Sequence, residues 1–372
     1  MLFRRSFPVI TNFVASHQPN YYQRSSWNLY STSPEKNQMV CQTLWIDTDC
    51  GYDDLCAISM LQDYSMSPFS DMKIEFISTV NGMTNPLIGA KIIKNFLEVN
   101  NFSASVACGF ESSSSQPHSI TDAGWGIEYR RSFLSFMADQ HLIQNDETGL
   151  SADLSMIGEG DTIDCMVKRI IEQKSDIKIT LLCLGPLTNI AYIMRKYPSF
   201  FGECVQRLVL MGGAVFVNGN APGGAEYNFY LDVESASFVF RNSVVPIEMF
   251  GLDVANDEAL TPDQYKQIMK PSVAEENAST SQPRKIRKFI RSLIEKNKDA
   301  ISYDSIASYY LICPDAFTLQ PLDIEVDTIT GQTVSVSKED MDKKLVISTS
   351  VSVATSVCKS SYFNYLLNTL SE

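Results

Sequence analysis

The chain has 372 residues, 44% of them hydrophobic and 20% charged, a balance that suits a globular protein with room for one elaborated α/β domain. A formal charge of −13 argues against nucleic-acid binding, which needs a basic face for the phosphates. No apolar run reaches the ~18 residues that span a bilayer, so no membrane partner is expected.

Residues 1–39 stand apart: they carry Arg4, Arg5 and Arg24, with no acid before Glu35. Such a stretch reads as a disordered or targeting extension ahead of a single domain over 40–372. Nine scattered cysteines without a C-x-x-C pair fit a reducing compartment. The expected location is cytoplasmic, and the Arg- and Ser-rich start leaves mitochondrial import as the alternative.

From Cys41 onward, apolar runs alternate between strand and helix patterns. Residues 43–46 predict a buried strand, and residues 55–61 a helix with apolar positions at helical spacing. Between them lies Asp47-Thr48-Asp49-Cys50-Gly51-Tyr52-Asp53-Asp54, four carboxylates in eight residues, with Gly51 for the turn and Asp53 at the expected helix cap. Carboxylates this close repel one another, and burying them is costly without a cation or a hydrogen-bond network. A hard divalent cation, which takes oxygen ligands, answers that cost. The bland reading is a capped, solvated turn.

Residues 73–80 predict the next strand, followed by the loop Asn81-Gly82-Met83-Thr84-Asn85, a helix from Pro86 and a short strand over 104–108. Residues 109–161 read as a long irregular lid. Strands over 177–184, 205–211 and 244–249 then end in Gly185-Pro186-Leu187-Thr188-Asn189, Gly212-Gly213 and Gly251-Leu252-Asp253. Strands that repeatedly end in Gly, Asn and Asp build a site along one edge of a parallel sheet. The fold class is therefore α/β: a Rossmann-like open, mostly parallel sheet flanked by helices, with lid insertions and a small β-rich C-terminal extension over 322–354. The basic run 283–288 reads as a solvated helix face. His17, His118 and His141 are isolated, which leaves neither a His-based metal site nor a Ser-His-Asp triad.

The octet, together with Leu184-Gly-Pro-Leu-Thr-Asn189, Leu210-Met-Gly-Gly213, Gly219-Asn220, Ala225-Glu-Tyr-Asn228, Gly251-Leu-Asp253 and Tyr303-Asp304, resembles the nucleoside hydrolase family in order and spacing. Within that family, the Leu-Gly-Pro-Leu-Thr-Asn helix start and Thr318-Leu-Gln-Pro-Leu322 look most like the purine-specific branch. The resemblance implies Ca²⁺-dependent hydrolysis of the N-glycosidic bond of ribonucleosides, purine nucleosides first, to free base and ribose. It further implies that Asp49, Asp54, Asp304 and the Leu184 carbonyl hold the Ca²⁺. Asp53 and Asn228 would bind the ribose 2′- and 3′-hydroxyls, and Asn220 and Glu226 the 5′-hydroxyl. Asp49 would also take the proton of the attacking water.

The chain departs from the family at Cys50, at Tyr303 and after the second strand, where Asn81 or Asn85 would reach the ribose. Tyr303, grouped with Asp49 as catalytic, would set an aromatic face against the base, and Trp125 in the lid would cover the other side. The expected assembly is a homodimer or homotetramer. Two other readings compete: a non-catalytic nucleoside-binding relative, and a phosphotransferase of the haloacid-dehalogenase type, which also opens on Asp-x-Asp after a strand.

Overall fold

The computed structural model describes residues 42–68, 70–111, 126–143, 161–173, 177–255, 260–270, 282–337 and 349–371. All of them belong to one compact unit, Met39–Glu372. The N-terminal extension and Trp125 lie outside the described residues.

One nine-stranded sheet organises the chain, in the order β3-β2-β1-β4-β5-β6-β9-β7-β8. The strands are β1 (Gln42–Thr48), β2 (Met72–Thr79), β3 (Ser105–Cys108), β4 (Ile179–Cys183), β5 (Val205–Met211), β6 (Ile247–Phe250), β7 (Phe317–Val326), β8 (Thr333–Ser335) and β9 (Thr349–Val357). From β3 to β9 every neighbouring pair is parallel. The pairs β9–β7 and β7–β8 are antiparallel. This is the expected α/β class. The β-rich C-terminal stretch extends the same sheet: β9 joins the parallel run beside β6, and β7 and β8 complete it.

The sequence of β1 explains why this sheet is covered on both faces. Leu44 and Ile46 point into one apolar layer and Trp45 into the other, and all three are fully buried. The first layer receives the helices Tyr52–Ser65, Pro86–Val99, Gln282–Lys296 and Asp304–Ile312. The second receives Ile163–Glu172, Thr188–Lys196 and Val233–Asn242. Two buried faces explain the continuous apolar runs of the strands. Trp45 keeps its polar edge satisfied by donating Nε1–H to Ser78 Oγ at 2.8 Å.

Two further expectations need adjustment. The helix after β1 is capped by Gly51, and Asp53 lies inside its first turn. The cap forms because Asp54 folds back and accepts the Gly51 N–H at 2.9 Å. Part of the supposed irregular lid is a helix, Gly126–Asp139, that buries Phe133, Leu134, Phe136 and Met137. The chain also carries a helix over Lys359–Ser371 that the sequence reading omitted. The basic run over 283–288 does form a helix face: Ile286 and Ile290 turn inward, and Arg287 pairs with Asp63 at 3.1 Å. Among the described residues no helix is long and apolar enough to cross a membrane.

Candidate active site

Register places the site. Asp47 of β1 lies opposite Ser78 of β2 and Cys183 of β4, so the loops that follow these strands emerge side by side. Beyond the strand tips lies a cavity of about 340 Å³, within the range of small-molecule sites. Its lining includes Asp49, Asp53, Asp54, Leu184, Asn220, Glu226, Asn228, Tyr303 and Asp304. All nine were candidates from sequence, and the fold brings them to one cavity.

Asp49 follows β1 directly and is clamped by the loop after β2. Its Oδ2 accepts the Met83 N–H at 2.9 Å, and its carbonyl accepts both the Thr84 N–H and the Thr84 hydroxyl. Gly82 makes this approach feasible, because a Cβ there would lie 2.0 Å from Asp49 Oδ2. Cys50 bends the loop with a φ of 63°, a conformation unfavourable for a residue with a side chain. Thr48 donates its hydroxyl to Asp54 Oδ1, which orients that carboxylate beside Asp49. Asp304 opens its helix directly after Tyr303, whose φ of 48° is the second strained backbone at the site.

Oxygen atoms of Asp53, Asp54 and Asp304 lie within 4.8 Å of one another. Asp54 and Asp304 are buried and Asp53 is half-buried. Burial, and then the charge of Asp54, hold the Asp49, Asp53 and Asp304 carboxyls well above the usual carboxylate range. The donors are all hard oxygens and their crowding calls for positive charge, so this set fits Ca²⁺ or Mg²⁺. The Leu184 carbonyl, at the end of β4, accepts Asn228 Nδ2–H at 3.1 Å and keeps a second lone pair.

Glu226 caps the short helix Tyr227–Leu231 by accepting the Asn228 N–H at 2.9 Å and the Phe229 N–H at 3.3 Å, and it also accepts the Gly213 N–H at 3.1 Å. Burial nevertheless pushes its carboxyl up to about 7, against those donors. Asn228 spends its amide hydrogens on the carbonyls of Leu184 and Met211, leaving its oxygen as an acceptor. Asn220 Oδ1 accepts the Tyr227 N–H at 2.9 Å. Burial, followed by Asp299, pushes the Tyr303 phenol up to about 12.

Other sequence candidates lie elsewhere. Asn85 caps the helix Pro86–Val99 and donates to Glu111 at 2.8 Å, and neither it nor Asn81 lines the cavity. Met83, between the two, occupies the wall instead. Tyr129, Met211, Tyr227 and Asp299 also line the cavity; Met211 and Tyr227 fall inside family motifs without a role assigned to them, and no motif marked Tyr129 or Asp299.

The inosine-uridine preferring nucleoside hydrolase family model matches residues 44–364. The chain belongs to the nucleoside hydrolase family. Among curated members of this family, the Non-specific ribonucleoside hydrolase RihC of Escherichia coli is 33% identical over 185 residues, 47% of this chain and 55% of that protein. The chain thus spans about half the length of the curated relatives it matches. Two solved nucleoside hydrolases share the fold. The inosine-uridine preferring enzyme of Bacillus anthracis superposes with a TM-score of 0.65 at 19% identity, covering 89% of this chain and 99% of that one. The purine-preferring ribonucleoside hydrolase of Gardnerella vaginalis gives 0.62 at 22% identity, covering 89% and 98%.

Proposed function

We propose that this chain hydrolyses the N-glycosidic bond of ribonucleosides to free base and ribose. The observation that carries the reading is the oxygen-only cluster of Asp53, Asp54 and Asp304 in a cavity of small-molecule size. In this reading Asp49, Asp54, Asp304 and the Leu184 carbonyl hold one Ca²⁺, with Asp53 bordering both cation and ribose. When bound, such a cation supplies Lewis-acid activation of a water and a fixed seat for ribose hydroxyls.

The chain's own residues do the rest. Asp49 accepts the proton of the attacking water, with one carboxylate oxygen held in place by the Met83 N–H. Asp53 and the free oxygen of Asn228 receive the 2′- and 3′-hydroxyls. Asn220 and Glu226 receive the 5′-hydroxyl. Dense bonding of this kind spends binding energy on the flattened, positively charged sugar of the transition state. Tyr303 stays protonated at neutral pH and donates a hydrogen bond toward the departing base. Tyr129, Tyr227 and Tyr303 give the cavity aromatic faces that reward the larger purine ring, which supports a purine preference. The eight cysteines among the described residues are all unpaired with one another, in keeping with a reducing, cytoplasmic setting. We further propose a homodimer or homotetramer.

The test is release of reducing sugar from inosine and from uridine by the purified chain, with Ca²⁺ and with a chelator. Release from inosine, faster than from uridine and abolished by the chelator, is expected. Full activity in the chelator would remove the cation, and uridine preferred over inosine would remove the purine assignment alone. No sugar from either nucleoside would end the hydrolase reading.

A further inference from the structure

Asp299 is the one carboxylate of the cavity that sits at its exposed rim. It belongs to the 3₁₀ turn Lys298–Ile301, five residues before Asp304 in the chain. The turn is firmly held. Asn297 Oδ1 accepts the Asp299 N–H at 3.0 Å, and the Ser302 N–H donates to the Asp299 carbonyl at 2.8 Å. Behind it, the Ser305 hydroxyl bonds the Ala300 carbonyl at 2.6 Å and the Tyr362 hydroxyl bonds that of Ile301 at 2.8 Å. The Asp299 carboxylate itself forms no hydrogen bond or ion pair among the described residues. It lines the same cavity as Tyr303 and Asp53.

We propose that Asp299 reads the nucleobase, its carboxylate accepting a hydrogen bond from an exocyclic amino group. This rests on the hydrolase reading above. With the ribose placed against Asp53 and Asp304, as in that reading, the side of the cavity lined by Tyr303 and Asp299 is assigned to the base. The group waiting there is a carboxyl acceptor with no donor of its own, mounted on a fixed turn. It rewards a base edge that carries N–H groups and repels one that carries a carbonyl oxygen, as a carboxylate does when it pairs with the cytosine amino group. Partial exposure of the rim limits the effect, and a hydrogen bond to a charged group there is worth about tenfold in discrimination. The chain would therefore favour cytidine over uridine, and adenosine over purine riboside, which differs only by lacking the amino group.

The experiment measures kcat/KM of the Ca²⁺-loaded full chain for these four nucleosides, in wild type, Asp299→Ala and Asp299→Asn. We expect each amino nucleoside to lead its partner by about tenfold in wild type, and Asp299→Ala to bring both ratios near unity. Asp299→Asn should push the cytidine to uridine ratio below that of the alanine variant, since an amide can donate to the uracil carbonyl. Ratios equal in all three proteins, with ribose released, overturn the role of Asp299 and leave the hydrolase reading intact. No ribose from any of the four overturns that reading and this inference together.

Discussion

Asp49, the proposed general base, illustrates how much of a residue's behaviour is decided by what touches it. The Met83 N–H fixes one carboxylate oxygen, while burial and the neighbouring Asp54 raise its proton affinity. An amide at this position keeps the shape and loses the proton acceptor. Asp49→Asn should lower ribose release by roughly 10²–10⁴, the usual worth of general base catalysis, with nucleoside affinity largely kept. A fall of less than about threefold would mean another group accepts the proton. Glu226 invites a different measurement, because burial raises it from 4.5 to about 7. A carboxyl raised on folding contributes stability that is complete below its unfolded value and is lost as pH climbs through the folded one. Glu226→Gln fixes the neutral form. Its melting temperature in a chelator should match wild type near pH 4.5 and exceed it increasingly up to about pH 8. A gap that does not change with pH would show that Glu226 does not titrate in this window.

At the scale of elements, the site is assembled by loops that need glycine at close approaches. Gly82→Ala would drive a methyl group into the Asp49 carboxylate, so the loop after β2 or the carboxylate must shift. We expect a folded protein whose ribose release falls by at least the ~10² that misplacing a catalytic group by about an ångström costs. Activity within twofold of wild type, with a normal circular dichroism spectrum, would show that the loop has room to spare. Much of this arrangement was legible in the sequence. The strands β1, β4 and β5 are apolar on both faces, so they stand out as runs, and each ends in a Gly, Asn or Asp that marks the site edge. The helix Gly126–Asp139 was hidden because its buried Phe133, Leu134, Phe136 and Met137 are confined to its second half, behind the polar Arg130, Arg131 and Ser132 and a serine-rich stretch. Asn81 and Asn85 drew attention by their polarity, yet Met83 lines the cavity, since it is the backbone of this loop that serves Asp49. Tyr129 and Asp299 come from segments with no pattern of their own and reach the cavity only through tertiary packing.

On the scale of the whole molecule, the cluster joins segments from the two ends of the fold. Asp53 and Asp54 follow the first strand, whereas Asp304 opens the last α-helix before the antiparallel strands. A cation shared between them would act as a reversible cross-link that closes a loop through most of the sheet. Closing a long loop removes freedom chiefly from the unfolded chain, so the bond works on the ensemble the protein leaves as well as on the one it enters. The strength of such a tie follows mass action and reaches about 2.7 kcal/mol at a hundredfold excess over the dissociation constant. The melting temperature should accordingly climb with the logarithm of Ca²⁺ concentration in wild type and stay flat in Asp54→Ala. A flat wild-type curve would mean that no such tie forms. Where it does form, the surroundings set how firmly this chain is fastened, because they hold the fastener.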